Sequence, residues 1–188
     1  MNLIKTPFDG VVILEPTIYE DARGYFFESW NRKTLDDLGF KYDWVQDNQS
    51  KSAKGTVRGI HYQKPPHAQT KLIQALQGTI LDVVVDLRQD SPTFGRHFSV
   101  ELSDETHRQL LIPKGFGHGY SVQSETAVIA YKCDDFYAPE SEGGINPFDN
   151  ELSIEWCAEQ SNAILSEKDK ISQSFAQYKA NPVFHEGR

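Results

Sequence analysis

The segment TVRGIHYQ places Arg58 and His61 on one predicted strand, between apolar positions. A histidine accepts and returns protons near neutral pH, and an arginine binds anions through a fork of N–H donors. Side chains three positions apart point to opposite faces of a regular strand, but Gly59 is a typical place for a bulge that brings both to one face. The segment indicates either a pocket holding a base and an anion-binding group, or a core histidine beside a surface arginine.

Four further side chains can take part in chemistry, and each also has an ordinary structural role. Lys71 opens the predicted strand KLIQAL, where a lysine is usually solvated. Tyr131 and Tyr137 lie in YKCDDFY, and tyrosines are common core residues of sheets. Asp169 is the third residue after Ser166 in SEKD, a helix-capping pattern. Pattern alone favours the structural role for each, although capping a helix and orienting a histidine are compatible.

The segment IPKGFGHGY has three glycines in five residues, which lets the backbone turn tightly and approach a ligand closely. His118, held on this turn, is predicted at the mouth of a cavity. The apolar segment DVVVDLR carries Asp82 and Asp86. Burial of a carboxylate requires a partner, so we expect both to be paired or near the rim, with Arg88 as a plausible partner for either.

Motifs for other chemistries are missing. A metal-binding small β-barrel needs His-x-His, because only residues two apart share a strand face, and the sequence here has His61, Tyr62 and Gln63. The sequence also lacks the Gly-x-Ser-x-Gly elbow of a hydrolase and the glycine-rich loops that bind nucleotide phosphates. We therefore predict no metal.

The elements that position these residues are mostly strands. Ten short segments rich in Val, Ile, Phe and Tyr lie between turn signals, and no room is left for crossover helices, so mainly antiparallel pairing in an all-β sandwich or barrel is predicted. The predicted strands are 10–14, 25–29, 56–62, 71–76, 79–88, 98–102, 109–112, 119–122, 127–133 and 152–156. Two short peripheral helices are predicted, one over 31–38 and one that begins after Ser166 and contains Ile171, Phe175 and Tyr178.

Composition indicates one globular domain over residues 1–188, with 184–188 as a loose C-terminal tail. The formal charge of −8 disfavours nucleic acid and anionic membranes as partners. Cys133 and Cys157 lack the spacing of a redox or zinc motif and are interpreted as reduced thiols. The N-terminal apolar stretch is too short for a signal peptide, so a cytoplasmic location is expected.

Five blocks in this order resemble the dTDP-4-dehydrorhamnose 3,5-epimerase family: RGIHYQKPPHAQTKLI, DVVVDLRQDSPTFG, IPKGFGHGY, YKCDDFYAPESEGGI and ILSEKDK. The resemblance extends from about Thr6 to about Lys170. It implies a cupin-like jelly-roll barrel that works as a homodimer. It departs from the usual family pattern at Gly117, at Tyr120 and in the loop 146–149.

The resemblance also implies roles for individual residues. His61 is similar to the family's general base, Asp169 to the carboxylate that orients it, Tyr131 to the acid on the opposite face of the sugar, and Lys71 to the lysine near the sugar carbonyl. The positions similar to those that hold the nucleotide, its diphosphate or the sugar are Arg23, Glu28, Gln46, Asn48, Arg58, His118 and Tyr137.

The implied activity is that of an isomerase that inverts C3 and C5 of dTDP-4-dehydro-6-deoxy-D-glucose, giving dTDP-4-dehydro-L-rhamnose. No cofactor is needed, because the 4-keto group itself acidifies the protons on both neighbouring carbons. Three alternatives stay open: an epimerase acting at C3 alone, a metal-dependent cupin oxygenase, and a non-catalytic barrel that binds a sugar nucleotide.

Overall fold

Residues 1–185 are described by a computed structural model of the chain. The strands are β1 (Asn2–Lys5), β2 (Val12–Glu15), β3 (Tyr19–Asp21), β4 (Gly24–Phe26), β5 (Gln46–Ala53), β6 (Val57–Gln63), β7 (Lys71–Gln77), β8 (Thr79–Asp86), β9 (His97–Ser103), β10 (Gln109–Ile112), β11 (Phe116–Val122), β12 (Thr126–Cys133) and β13 (Glu142–Gly144). The helices are α1 (Arg32–Asp37), α2 (Glu167–Lys170) and α3 (Phe175–Ala180), with 3₁₀ turns at Pro139–Ser141 and Gln160–Asn162.

The strands form two facing sheets and a small hairpin. One sheet has six strands in the order β1-β2-β10-β7-β12-β5, and the other has five in the order β13-β6-β11-β8-β9. All neighbouring strands within them are antiparallel, as the sequence predicts. Within the described chain the two sheets share no strand and do not close on each other, so of the predicted sandwich or barrel the structure is a two-sheet sandwich.

Three apolar clusters hold the layers together. The largest lies between the sheets and includes Ile73 and Ile129 from one sheet and Val84 from the other. A second cluster covers the outer face of the five-stranded sheet, where α3 contributes Phe175. A third covers the outer face of the six-stranded sheet, where α1 contributes Leu35. The inner faces of the two sheets therefore carry the central core and, at one end of the sandwich, a group of polar side chains.

Some strand predictions are wrong, for identifiable reasons. The segment 152–156 is not a strand; its Trp156 is buried beside the outer face of the five-stranded sheet, and the indole donates to the Pro147 carbonyl. The predicted strand 25–29 is shortened to the end of β4. The segment QDNQSKSA was not predicted at all, although it forms β5, because its inward positions are polar and show no apolar alternation.

The helix predictions hold in part. Helix α1 begins after Asn31, whose side chain accepts a hydrogen bond from the Thr34 amide. The single helix predicted after Ser166 is instead two short helices, because α2 ends at Lys170. Ile171 follows α2 and is 84% exposed, so it does not continue an apolar helix face. Both short helices are peripheral, as expected.

The predicted loose tail is wrong at its first residue. Phe184 is buried in the cluster beneath α3, and its carbonyl accepts a hydrogen bond from the Gln89 amide. A short bridge between Phe184 and Arg88 fixes this end of the chain further. Residues 186–188 lie outside the described part.

Both cysteines are free thiols, as expected, with Cys133 buried and Cys157 exposed. Among the described residues, no helix has the length and apolar character needed to cross a membrane.

Candidate functional site

A bulge at Gly59 turns Arg58 and His61 to the same face, as predicted. On the neighbouring strand β11, His118 lies opposite His61 and Tyr120 lies opposite Arg58, so three steps along β6 match two along β11. Gly59 has a φ of +126°, and a Cβ there would lie 2.5 Å from the Gly119 Cα. Only glycine fits this conformation and this close approach. Both side chains consequently point between the sheets, where the Arg58 guanidinium donates to Ser52 of β5 at 3.1 Å.

His61 and Asp169 form a short hydrogen-bonded pair. The His61 Nε2 lies 2.5 Å from Asp169 Oδ1, and the aspartate side chain is 1% exposed. Burial alone would raise the pKa of Asp169, but hydrogen bonds from His61 and Ser166 and the charge of His61 hold it below its usual value. Within residues 1–185, Nδ1 of His61 has no hydrogen-bond partner. That nitrogen is left to accept a proton, and Asp169 fixes the ring in the required orientation.

Ser166 caps α2 as predicted, since its side chain accepts from the Asp169 amide at 3.1 Å. The Asp169 carboxylate bonds to His61 of β6, which is 108 residues earlier in the chain. The cap pattern therefore has both roles at once: it fixes the backbone of Asp169 and points the carboxylate at the histidine.

Lys71 and Tyr131 approach from the other sheet. In the register of β7, β12 and β5, Lys71 pairs with Cys133, while Tyr131 pairs with Asn48, and all of these lie on the inner face. Lys71 is half-buried, unlike the solvated lysine that is usual at the start of a strand, and it has no ion pair among the described residues. Burial lowers the pKa of its ammonium group, and nearby anionic groups, including Asp82, oppose this only in part.

These side chains meet in a cavity of about 220 Å³ at one end of the sandwich. Its lining residues are Gln46, Asn48, His61, Tyr62, Gln63, Gln69, Lys71, Tyr131, Tyr137 and Glu142. His61 enters from the five-stranded sheet and Tyr131 from the six-stranded sheet, so a base and a phenol come to one space from facing sheets. Burial raises the pKa of Tyr131, so its phenol keeps its proton at neutral pH.

His118 and Arg58 neighbour this cavity without lining it. His118 Nε2 lies 2.9 Å from Asp82 Oδ2, and Asp82 is fully buried. Burial raises the pKa of Asp82, which the charge of His118 opposes. Of the two predicted partners of Arg88, only Asp86 is confirmed, with a 2.7 Å ion pair, because Asp82 lies further along the inner face beside β11.

Glu142 is a site residue that sequence reasoning missed. Its Oε2 accepts from the Tyr137 hydroxyl at 3.0 Å and from the Lys168 ammonium at 2.6 Å. The Lys168 hydrogen bond is the main reason that the pKa of Glu142 lies below its usual value. In the sequence it is one residue of the block YKCDDFYAPESEGGI, and its register opposite Gln63 of β6 could not be derived from local pattern.

Arg23 and Glu28 do not reach the His61 cavity in this chain. Arg23 lies in the β3–β4 hairpin, forms a 2.5 Å ion pair with Asp21, and lines a separate cleft with Tyr19 and Phe26. Glu28 accepts hydrogen bonds from side chains at the start of α1. The hairpin exposes large aromatic side chains, since Tyr19 and Phe26 are 64% and 70% exposed.

The described residues contain no group of three or more His, Cys, Asp or Glu side chains arranged to hold a metal ion.

The two-sheet fold, with a histidine–carboxylate pair facing a tyrosine across one cavity, defines a β-sandwich protein whose site is suited to proton transfer. Residues 5–177 match the family model described as dTDP-4-dehydrorhamnose 3,5-epimerase. The chain belongs to this family.

Individual relatives agree with this assignment. The dTDP-4-dehydrorhamnose 3,5-epimerase of Shigella flexneri is 47% identical over 93% of this chain and 96% of its own length. The crystal structure of an epimerase from Legionella pneumophila, in complex with dTDP-4-keto-L-rhamnose, is 44% identical with a TM-score of 0.93 and covers 100% of this chain and 99% of that one. A 3'-monoepimerase from Streptomyces bikiniensis is 30% identical with a TM-score of 0.89, covering 96% of this chain and 91% of that one.

Proposed function

We propose that the protein inverts C3 and C5 of dTDP-4-dehydro-6-deoxy-D-glucose to give dTDP-4-dehydro-L-rhamnose. The observation that carries the proposal is the placement of His61 and Tyr131 on facing sheets around a single cavity. Inversion at carbon requires a proton to leave one face and a new proton to arrive at the other. Two groups that approach one substrate from opposite sides meet that requirement.

In the first half-reaction, the free imidazole nitrogen of His61 takes the proton from C3, which the neighbouring keto group has made acidic. Asp169 stabilises the imidazolium that forms, because its buried carboxylate lies 2.5 Å from the other ring nitrogen. The Tyr131 hydroxyl then supplies a proton to the opposite face of the same carbon. After both groups exchange protons with solvent, the same steps at C5 invert the second centre.

Between the two proton transfers, negative charge lies on the C4 oxygen of an enolate. Lys71 is half-buried in the cavity wall, and a positive group in such surroundings stabilises charge more strongly than it would in water. The register of β7 and β12 puts it on the same inner face as Tyr131, so it can reach the sugar that these groups enclose.

The nucleotide part would be held by polar groups around the cavity. Gln46, Asn48 and Tyr137 line it. Arg58 provides a guanidinium suited to forked contacts with a diphosphate, and His118 lies on β11 opposite His61. These are proposed binding residues, together with Arg23 and Glu28, and the reaction needs neither metal nor cofactor.

Proton NMR in deuterated water tests the proposed reaction. With dTDP-4-dehydro-6-deoxy-D-glucose, both the C3 and the C5 proton signals should disappear, and an L-configured product should form. Loss of the C3 signal alone would select the epimerase that acts only at C3, for which the 30% identical monoepimerase is the relevant relative. Loss of neither signal would exclude both epimerases.

We also propose that the protein works as a homodimer, because part of its predicted binding set lies away from the cavity. Arg23 is on an exposed hairpin with three large exposed aromatic side chains, Tyr19, Tyr25 and Phe26. Such a surface is typical of a contact between proteins. A second copy that received this hairpin beside its own His61 cavity would bring Arg23 to a diphosphate.

Mixed dimers should reveal this sharing. Arg23→Ala and His61→Ala variants are each expected to be nearly inactive. When they are mixed and allowed to exchange subunits, a hybrid has one cavity with both native residues, so activity should return to a sizeable fraction of wild type. Activity that stays at the sum of the two variants, or a monomeric mass in light scattering, would contradict the shared site.

Replacing Lys71 should lower kcat more than it changes KM. Lys71→Met removes a charge that acts mainly on the enolate, and loss of one such group costs about 10²–10³ in kcat. Because burial lowers the pKa of Lys71, wild-type activity should also decline with rising pH before the ordinary lysine value of 10.5 is reached. Steady-state kinetics over an alkaline pH series measures both, and a pure rise in KM would instead assign Lys71 to binding.

The proposal includes three further expectations. The sandwich is a cupin-type jelly roll, the chain is a single domain, and the protein is located in the cytoplasm. The opposed antiparallel sheets and the common core between them support the first two. The location stays a prediction.

A further inference from the structure

The backbone of residues 134–138, which follows β12, is held by glutamine side chains. This segment carries Phe136 and Tyr137, which are both exposed, and Tyr137 lines the cavity. Three glutamines from different parts of the chain bind its peptide groups: Gln46 accepts from the Tyr137 amide at 3.0 Å, Gln69 donates to the Asp135 carbonyl at 2.8 Å, and Gln63 makes two further bonds.

Gln63 brackets Tyr137. Its Nε2 donates to the carbonyl of Phe136 at 3.2 Å, and its Oε1 accepts from the amide of Ala138 at 2.8 Å. The same Nε2 also donates to the His67 carbonyl at 2.7 Å. The side chain is 5% exposed, so water cannot replace these bonds readily. Rotation of the Tyr137 backbone would break bonds on both sides of it.

Gln63 also lies two residues from His61 on β6, and residues two apart share a strand face. Strand β6 thus carries both the proposed base, His61, and Gln63, the side chain that fixes residues 134–138. The Tyr137 side chain is held at its far end as well, where its hydroxyl donates to Glu142 at 3.0 Å.

We infer that Gln63 is a positioning residue, which presents Tyr137 to the nucleotide of the substrate as a preformed wall of the cavity. This rests on the proposed function, in which Tyr137 contacts the substrate. A binding group that is already ordered loses less entropy when the ligand arrives, so Gln63 increases affinity by holding Tyr137 in place. Its loss should appear in binding and leave the proton transfers alone.

Gln63→Leu tests this, since it keeps the approximate side-chain size and removes all three bonds. Isothermal titration with dTDP should give a Kd raised roughly tenfold. KM for the sugar nucleotide should rise by a similar factor, and kcat should stay close to wild type. Gln109→Leu is the matched control: Gln109 is equally buried and donates to the Ser29 carbonyl and to Gln74, but it lies on the outer face of the six-stranded sheet.

A double-mutant cycle separates positioning from general damage. If Gln63 acts through Tyr137, then Gln63→Leu should add little to the Kd of a Tyr137→Ala variant. If the two substitutions raise the Kd by factors that multiply, the inference is overturned. It is also overturned if Gln109→Leu weakens dTDP binding to the same degree.

Gln63→Glu provides a second variant, should the leucine variant fold poorly. Its carboxylate would face two carbonyl oxygens in a buried place, which raises the pKa of the new acid. Affinity for dTDP should therefore be weak at neutral pH and recover as the pH falls and the acid regains a donor proton. A pH profile parallel to that of wild type would count against the inference.

Hydrogen exchange distinguishes this inference from the proposed function. The Ala138 amide should exchange faster in Gln63→Leu than in wild type, with no ligand present, because its acceptor is gone. If wild type failed to bind dTDP, the proposed function would fall while faster exchange still showed that Gln63 orders this segment. Unchanged exchange would overturn the positioning role directly.

Discussion

Replacing His61 with glutamine should abolish proton exchange at both C3 and C5, while affinity for dTDP stays near its wild-type value. Removal of a general base costs typically 10²–10⁴ in rate, and here one base serves both centres. Glutamine is the informative choice because its amide nitrogen reaches the position of the imidazole Nε2 and can still donate to Asp169, which is 1% exposed and would otherwise be left as an unpaired buried charge. NMR in deuterated water and titration with dTDP measure the two quantities on the same sample.

The alanine variant is the natural companion to the glutamine variant. His61→Ala removes the partner that holds the pKa of Asp169 low, so the pKa of the carboxyl should rise and the fold should lose stability relative to His61→Gln. Both variants should be equally inactive. Residual exchange at C5 with none at C3 would mean that a second base serves C5, and His118, paired with Asp82, would be the next residue to replace.

The sequence was most informative where function requires an unusual local pattern. Gly59 indicated a bulge because a glycine inside a strand is a typical bulge position, and the close approach of Gly119 explains why a glycine is needed there. The capping pattern at Ser166 likewise located the start of α2. In both cases the signal lies within a few residues of the feature.

Features that depend on distant partners were not accessible in this way. Strand β5 contributes Gln46 and Asn48 to the cavity. Because the residues on its inner face are polar, hydrophobic periodicity does not predict this strand. The place of Glu142 in the cavity depends on strand register, and the role of Asp82 depends on its burial beside His118. Neither can be derived from the neighbouring residues in the sequence. The resemblance named Arg23 as a binding residue, but the single chain does not bring it to the cavity, which is why a second subunit enters the proposal.

Replacing Tyr131 with phenylalanine should separate the two halves of the proton transfer. The variant lacks only the hydroxyl, so His61 can still remove a proton from its own face of the sugar. The enolate can then be reprotonated only by His61 from that same face. We expect solvent deuterium to enter at C3 with retained configuration, while the rate of epimerisation falls by about 10²–10⁴.

Tyr120→Phe is the matched control for this experiment. Tyr120 is also a tyrosine on an inner face, but its hydroxyl is within 3.0 Å of Ser50 and it does not line the cavity. Its removal should leave the ratio of exchange to inversion unchanged. Exchange and inversion that fall together in Tyr131→Phe would show that the phenol stabilises the enolate. Inversion that persists would assign the second proton to another donor, because only a group facing His61 across the cavity can deliver it to the opposite side of the carbon.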